Sequence, residues 1–422
     1  MKRKIAFLGF SDLNETAQRI LQDNYDIVYR GDVIKFVSSL NKGLISASKF
    51  KHLIGEDGLV IFNNCNMDMN FSVVGEIMES FGMEYKFYHA SGRFVGYDTR
   101  QGFNLIDVYK NAEVSPTMLH LELSSACNIH CRYCFSHGKN SHSRVKPEMM
   151  TWEALNNICE YSKNEKTLNG LYLVGRGETF MHPEWFEMTS HVLNQTSLNK
   201  VLLSTNGMLL NEENARKLEN LPCDVLVLQV SLDGLSPEDT EYWREGSKYE
   251  TIKENLYKAQ AILSKVNKVR FIINSAVVLP REFTEQKYNE YELLIEAQGM
   301  NQWLEEDFPS DFKVVTKCVF HYGFDVDSAQ LEEVDTSPLM AFMRIGDFNR
   351  FDSIAVLANG DVSGCPCSND IIVGNVLHDN MYEVWRNNDG LNKIRDNFRN
   401  GKPPCDCFQN PSVKKQKILV RK

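Results

Sequence analysis

The chain has 422 residues, 43% of them hydrophobic, and a formal net charge of −10. That length exceeds one ordinary domain and predicts two or three, and the acidic balance argues against a nucleic-acid backbone as the main partner. With no apolar run of about eighteen residues, no helical membrane span is expected. The opening MKRKIAFLGFSD has a basic start, only a short apolar run and no small-residue cleavage site. It reads as a first strand rather than a secretion signal, and a cytoplasmic location is expected.

Residues 1–112 alternate like a small Rossmann-like α/β unit. KIAFLGF, GLVIFNN and EYKFYH read as strands, and Asn14–Gln22 and FSVVGEIMESFG as helices, the latter closed by Gly82. No G-x-G-x-x-G opens a helix here, so a dinucleotide fingerprint is missing. Residues 113–325 follow a regular strand–helix repeat. The strands are MLHLELS, GLYLVG, KVLLSTNG, DVLVLQVSLDG, KVRFIINSAVV and FKVVTKCVF. The helices are Trp152–Ser162, Pro183–Leu193, Glu212–Asn220, Thr251–Leu263 and Thr284–Ala297. This pattern predicts a partial (β/α)6 barrel with its chemistry at the C-terminal strand ends. Residues 326–422 change character, with a hairpin signal (SIAVLANGDVSGC), a glycine turn (IIVGNV), a helix Met381–Asn397 and a cysteine-rich end.

The eleven cysteines are unevenly spread: three fall in Cys127–Cys134 and four in Cys365–Cys407. An odd, clustered count in a large chain points to metal ligation rather than a disulfide framework. SSACNIHCRYCF directly follows the first barrel strand and spaces Cys127, Cys131 and Cys134 as C-x-x-x-C-x-x-C. Three thiolates can hold three irons of a 4Fe–4S cubane and leave the fourth iron open. The alternative is a zinc knuckle completed by His130 or His137.

The downstream strand ends add to the pattern: Gly175-Arg176-Gly177-Glu178 closes the second strand, Ser204-Thr205-Asn206 the third, and Ser231 and Asp233 the fourth, before YWREGSKYETIKENL. With the cysteine spacing, these resemble the radical S-adenosylmethionine (SAM) superfamily. The resemblance implies a SAM-binding 4Fe–4S cluster on Cys127, Cys131 and Cys134, with Tyr133 against the adenine. It assigns Gly175, Gly177 and Glu178 to the SAM ammonium, Ser204 and Asn206 to the ribose, and Arg244 to the SAM carboxylate. Thr179 follows the glutamate where the family often has proline. Asp233 falls on a strand that lines the substrate side, and is a candidate catalytic residue.

The tail ANGDVSGCPC … IIVGNVLHDNMYEVW … CDCF is similar to the SPASM/twitch extension of the same superfamily. Its cysteine pairs are C-x-C, narrower than the common pattern, and too few for two clusters. The resemblance implies one auxiliary 4Fe–4S cluster on Cys365, Cys405 and Cys407, completed by Cys367 or Cys318; a four-thiolate zinc site is the alternative. Cys318 is an auxiliary ligand, a hydrogen-atom donor at the barrel mouth, or a buried strand residue, while Cys65, Cys159 and Cys223 read as structural. The function implied is SAM cleavage to a 5′-deoxyadenosyl radical that removes a hydrogen atom from a substrate. The strand–helix character of residues 1–112 and the single-cluster tail favour a small polar sugar- or aminocyclitol-like molecule, oxidised or epimerised, over a peptide or protein side chain. A flavodoxin or ferredoxin is the expected electron donor. A non-enzymatic electron-transfer protein would need neither the glycine–glutamate nor the ribose motif.

Overall fold

A computed structural model describes residues 2–9, 25–31, 46–55, 58–64, 82, 85–89, 94–95, 114, 116–132, 134, 136–138, 146–277, 299–300, 302–308, 312–318, 331–335, 353–364, 371–399 and 417–421. The expected helices at 14–22 and 284–297 lie outside the described residues, as does the one at 71–82 apart from its closing Gly82, and as do Cys65, Tyr133, Cys365, Cys367, Cys405 and Cys407.

In the N-terminal region, β1 (Arg3–Gly9), β2 (Tyr25–Gly31), β3 (Leu59–Asn64), β4 (Tyr85–His89) and β5 (Phe94–Val95) form a five-stranded sheet in the order β2-β1-β3-β4-β5. The first three pairings are parallel and the last antiparallel. Strand β2 was not anticipated; its segment YDIVYRG carries charge at both ends. Among the described residues here is one helix, α1 (Ala47–Ile54), started by Ser46, whose hydroxyl accepts from the Lys49 N–H.

The large sheet contains all six expected barrel strands: β6 (Met118–Leu121), then, past the short β7 (His130–Cys131), β8 (Gly170–Leu173), β9 (Lys200–Thr205), β10 (Val225–Ser231), and, past β11 (Arg244–Glu245), β12 (Val269–Val277) and β13 (Phe312–Cys318). Their neighbours follow chain order and every pairing is parallel. The helices are α2 (Trp152–Ser162), α3 (Trp185–Gln195), α4 (Glu212–Glu219), α5 (Pro237–Trp243), α6 (Tyr249–Leu263) and α7 (Gln302–Asp307). Thr151, Asn211 and Ser236 each cap a helix start through the side-chain oxygen. The short α5 was not expected; Ser236-Pro237 supplies the N-cap and first-turn proline that start it.

Strand alternation divides the apolar residues between two faces. Leu119, Leu121, Leu171, Leu173, Val201, Leu203, Leu226, Leu228, Val230 and Ile273 are buried in the main core under the helices. Residues of the opposite parity, Tyr172, Leu202, Val227 and Ile272, form a smaller cluster inside the barrel. Thus the fold is α/β, with a partial parallel barrel as its centre.

Three further strands continue the same sheet beyond β6. After β14 (Leu331–Asp335), β15 (Ser353–Val356), β16 (Asp361–Ser363) and β17 (Ile372–Asn375) give the edge order β6-β15-β16-β17. β15 is parallel to β6, and the next two pairings are antiparallel. β14 pairs with β18 (Lys417–Arg421). The tail also packs on α2: Asn157 Nδ2 donates to Val376 O at 3.0 Å, and Ser162 and Tyr382 share a hydroxyl–hydroxyl bond of 3.0 Å. The single helix expected at 381–397 is two, α8 (Met381–Asn387) and α9 (Asp389–Arg399). Asn388 is extended and accepts from the Leu391 N–H, so it ends one helix and begins the next. Arg395, fully buried, holds the corner by donating to Trp385 O and resting over the Trp385 ring. No helix among the described residues is long and apolar enough to cross a membrane.

Leu228 is fully buried in the middle of β10. Leu228→Ala is expected to cost about 2–5 kcal/mol of stability, read as a lowered denaturation midpoint.

Candidate active site at the C-terminal ends of the barrel strands

The loop after β6 is closed by its own backbone. The Ser125 hydroxyl accepts from Glu148 N at 2.8 Å and donates to Lys146 O at 3.1 Å, fixing the loop to the segment before α2. Within the cysteine run, Cys134 N donates to Cys131 O at 2.9 Å and Gly138 N to Cys134 O at 2.9 Å. His137 N donates to Cys134 Sγ at 3.3 Å. His137 Nε2 lies 2.8 Å from Ser125 O, so that ring nitrogen is occupied by a backbone carbonyl.

The middle of the loop is β7, which pairs antiparallel with β11, placing Cys131 opposite Arg244 and His130 opposite Glu245. Arg132 reinforces this ribbon. Its backbone N donates to Trp243 O, its Nε donates to Tyr242 O at 2.8 Å, and its guanidinium lies 4.2 Å from the Tyr242 ring centroid. Beside the ribbon, Arg244 Nη1 meets Asp233 Oδ2 at 2.7 Å, with both side chains buried. The two residues singled out separately in the sequence, one for substrate and one for a carboxylate, therefore face each other.

Glu178, only 2% exposed, sits between the cysteine loop and β9. Its oxygens accept from Thr205 Oγ1 at 2.9 Å, Asn206 N at 2.8 Å and Phe180 N at 3.3 Å. Burial raises its pKa, opposed by those hydrogen bonds and more distantly by the Arg244 charge. Asn206 extends the network, with Nδ2 2.8 Å from Asn128 Oδ1 and 3.9 Å from Cys127 Sγ. Ser204 lies on the inner face, where Gln229 Nε2 approaches its hydroxyl at 3.5 Å.

The glycines of the Gly175–Glu178 segment have a packing reason. A Cβ on Gly175 would come within 2.3 Å of Glu122 Cγ, and one on Gly177 within 2.3 Å of Ala126 O. The segment presses against the end of β6 and the cysteine loop, and Glu178 N donates to Ala126 O. Glu122 was not singled out in the sequence. The signal was there in MLHLELS, where His120 and Glu122 alternate with buried leucines and so belong to the inner face.

The donor set suits a cluster. Burial pushes the Cys131 thiol up to about 12, with Arg244 opposing and Asp233, Cys134 and Cys127 adding to the rise. Burial also raises Cys127, against the Ile129 N–H and Arg244. The cysteines thus act on one another electrostatically, and bound iron would displace their protons. Among the described residues no three His, Cys, Asp or Glu side chains are gathered as a single ion needs; a cubane takes one thiolate per iron and spreads its ligands over the cluster's width. Cys318 closes β13, paired in register with Val277 of β12.

Comparison with known proteins identifies the family. Residues 121–287 match the Radical SAM superfamily, and residues 348–408 match the SPASM iron–sulfur cluster-binding domain. The chain belongs to the radical SAM superfamily and carries a SPASM domain, and so takes a SAM-binding 4Fe–4S cluster and an auxiliary iron–sulfur cluster. A probable GTP 3′,8-cyclase of Methanococcus maripaludis is 27% identical over 159 residues, which are 37% of this chain and 50% of that protein. The chain thus spans about half the length of the first such relative. An AdoMet-dependent heme synthase of Methanosarcina barkeri is 25% identical over 315 residues, 67% of this chain and 85% of that one. Among solved structures, native anSMEcpe with bound AdoMet aligns at 18% identity and a TM-score of 0.48, over 72% of this chain and 93% of that chain.

Because burial raises the Glu178 carboxyl, its contribution to stability in the ligand-free fold is greatest at acid pH and is lost as pH rises through the raised value. Glu178→Gln is expected to flatten the stability–pH curve over that window, read from unfolding midpoints across a pH series.

Proposed function

We propose that this radical SAM enzyme binds SAM with its ammonium on Glu178 and acts on a small polar, hydroxyl- or amine-bearing substrate of the sugar or aminocyclitol kind, which it oxidises or epimerises. The observation that carries the SAM assignment is a charge balance. At the edge of the sheet, buried Glu122 faces Arg176 and buried Asp233 faces Arg244, whereas Glu178 is met by three neutral donors. A buried carboxylate is costly without a cation, and an ammonium group supplies one. A 4Fe–4S cluster held in the barrel would supply the one electron for reductive cleavage of SAM and so the radical chemistry by which a hydrogen atom would be taken from the substrate. Cys127, Cys131 and Cys134 would hold that cluster, and Asn206 and Ser204, at the end of β9, would meet the ribose hydroxyls. With its guanidinium fixed by Asp233, Arg244 stays beside the cysteine loop, positioned for the SAM carboxylate.

The substrate class is supported by the inner face of the barrel. Ser204, Gln229, Ser231 and Asn274 share the inward parity of β9, β10 and β12 with Leu202, Val227 and Ile272. These uncharged groups suit hydroxyls and amines. The N-terminal sheet, mainly parallel, is also unlike the winged helix that peptide-modifying relatives often carry.

Three measurements test the reading. Reduced, anaerobically prepared protein should convert SAM to 5′-deoxyadenosine, and the triple change Cys127→Ala, Cys131→Ala, Cys134→Ala should abolish it; cleavage persisting in the triple variant would refute the cluster assignment. Wild-type protein should hold about eight irons and the triple variant about four, as expected for two cubanes. Four irons and one zinc would make the tail a zinc site instead. Glu178→Gln should keep its iron yet bind SAM about ten- to a hundredfold more weakly, the worth of a charge-assisted hydrogen bond. In wild-type protein, affinity should fall as pH drops through the raised Glu178 value, because the ammonium needs the carboxylate ionised.

A further inference from the structure

We infer that Glu122 and Arg176 are positioning residues that join the C-terminal hairpin to the SAM-binding loop, so that the tail's docking sets the affinity for SAM. The inference rests on the SAM assignment of Glu178 made above. Glu122 lies five positions before Cys127 and Arg176 two before Glu178. The Glu122 side chain is 1% exposed and that of Arg176 11%. Arg176 Nη2 donates to Glu122 Oε1 at 2.6 Å, and Nε reaches Oε1 at 3.1 Å and Oε2 at 3.0 Å. The Arg176 backbone N donates to Oε2 at 2.5 Å. The carboxylate thus grips the loop by guanidinium and main chain together, and its Cγ fills the space beside Gly175 that a Cβ would need.

A third segment meets the same carboxylate. Ala358, in the turn between β15 and β16, donates its N–H to Glu122 Oε1 at 3.1 Å, while Glu122 N donates to Val356 O at 2.9 Å. The turn is itself organised from farther out in the tail. Asn375 Nδ2 donates to Asn359 O at 3.2 Å and to Asp361 Oδ1 at 2.9 Å, and Val376 N donates to Gly360 O at 2.9 Å. A continuous path therefore runs from Asn375 through the turn and Glu122 to Arg176 and the main chain that carries Glu178. No member of it needs to touch SAM. The hairpin is followed in sequence directly by Cys365, so the strand pair next to that cysteine in the chain also braces the SAM loop. Buried hydrogen-bonded carboxylates are sensitive to the loss of any one partner, which makes the path a means of coupling.

The experiment uses the full-length, iron-loaded protein and compares wild type with Arg176→Leu, Arg176→Lys, Asn375→Ala and the double variant Arg176→Leu/Asn375→Ala. Iron per chain, the SAM-induced change in the EPR spectrum of the reduced barrel cluster, and the SAM dissociation constant drawn from it are measured. Arg176→Leu should keep barrel iron and weaken SAM binding by about tenfold or more, as losing an outer-shell partner does at a metal site. Arg176→Lys should recover part of that loss, and Asn375→Ala, remote from SAM, should weaken binding in the same direction. The double variant should fall short of the product of the single effects, because both act on one path. Unchanged SAM affinity in Arg176→Leu, or fully multiplicative effects, overturns the coupling. If Arg176→Leu fails to assemble its clusters, Arg176→Lys and Asn375→Ala decide: wild-type affinity in both overturns it, and weakened affinity with normal iron supports it. A wild-type protein that cleaves SAM while Glu178→Gln binds it normally removes the SAM assignment beneath the proposal, an outcome distinct from the failure of the coupling.

Discussion

Buried charge is the constraint on which the rest of this structure depends. Parallel strands end together, and here their shared edge gathers acidic side chains into a region shielded from water. An ion there is tolerated only if something nearby answers it. Glu122 is answered by Arg176 and two backbone N–H groups, and Asp233 by Arg244. Much of the local architecture serves those pairs. The close approach of Gly175 to Glu122 and the β7–β11 ribbon that carries Arg244 exist where the charges meet. Glu178 differs, since its partners are neutral and its ionisation is opposed by burial. In the function proposed above, the SAM ammonium is the cation that answers it.

The cysteine loop is held to this edge from both sides. Ser125 fixes its start to the segment before α2, and Arg132 fixes its middle to Tyr242 and Trp243. Neither anchor uses a cysteine, so the thiols are left for metal. The Arg244 charge beside Cys131 and Cys127 works in the direction of thiolate, against burial. This division of labour, with the loop anchored through neighbours of the cysteines, is the order expected of metal sites, where the outer partners fix the inner ones.

Most of the barrel was legible because two periods were clear. Alternating leucines marked the strands, and Trp152–Ser162 appeared as a helix with the bounds it has in the structure. The site motifs were legible because each sat at a strand end, where fold and chemistry coincide. What escaped notice depended on contacts distant in sequence. Strand β15 was read as part of a local hairpin, yet its other edge pairs with β6. Asp233 and Arg244 were given separate tasks because they stand eleven positions apart with a helix between them. Glu122 was passed over as one charge in an apolar strand, although its parity placed it inside. The break at Asn388 was missed because Asn is neutral in a helix pattern and decisive only when its side chain caps the next one.

The parallel pairing of β15 with β6 also bears on how the molecule is made. Ser353 lies opposite Met118, so this edge of the sheet joins segments more than two hundred residues apart. Contacts of such sequence separation form late, because the intervening chain must be ordered first. During synthesis, which proceeds from the N-terminus, β6, the cysteine loop and the segment holding Glu178 emerge long before the strand that flanks them. The nascent barrel therefore passes through a stage with an open edge on β6 and an unfinished cradle for Glu122. An exposed strand edge of that kind invites pairing with other chains. Arrival of β15 closes it, and makes the C-terminal hairpin the final structural piece of the barrel as well as the start of the domain that follows.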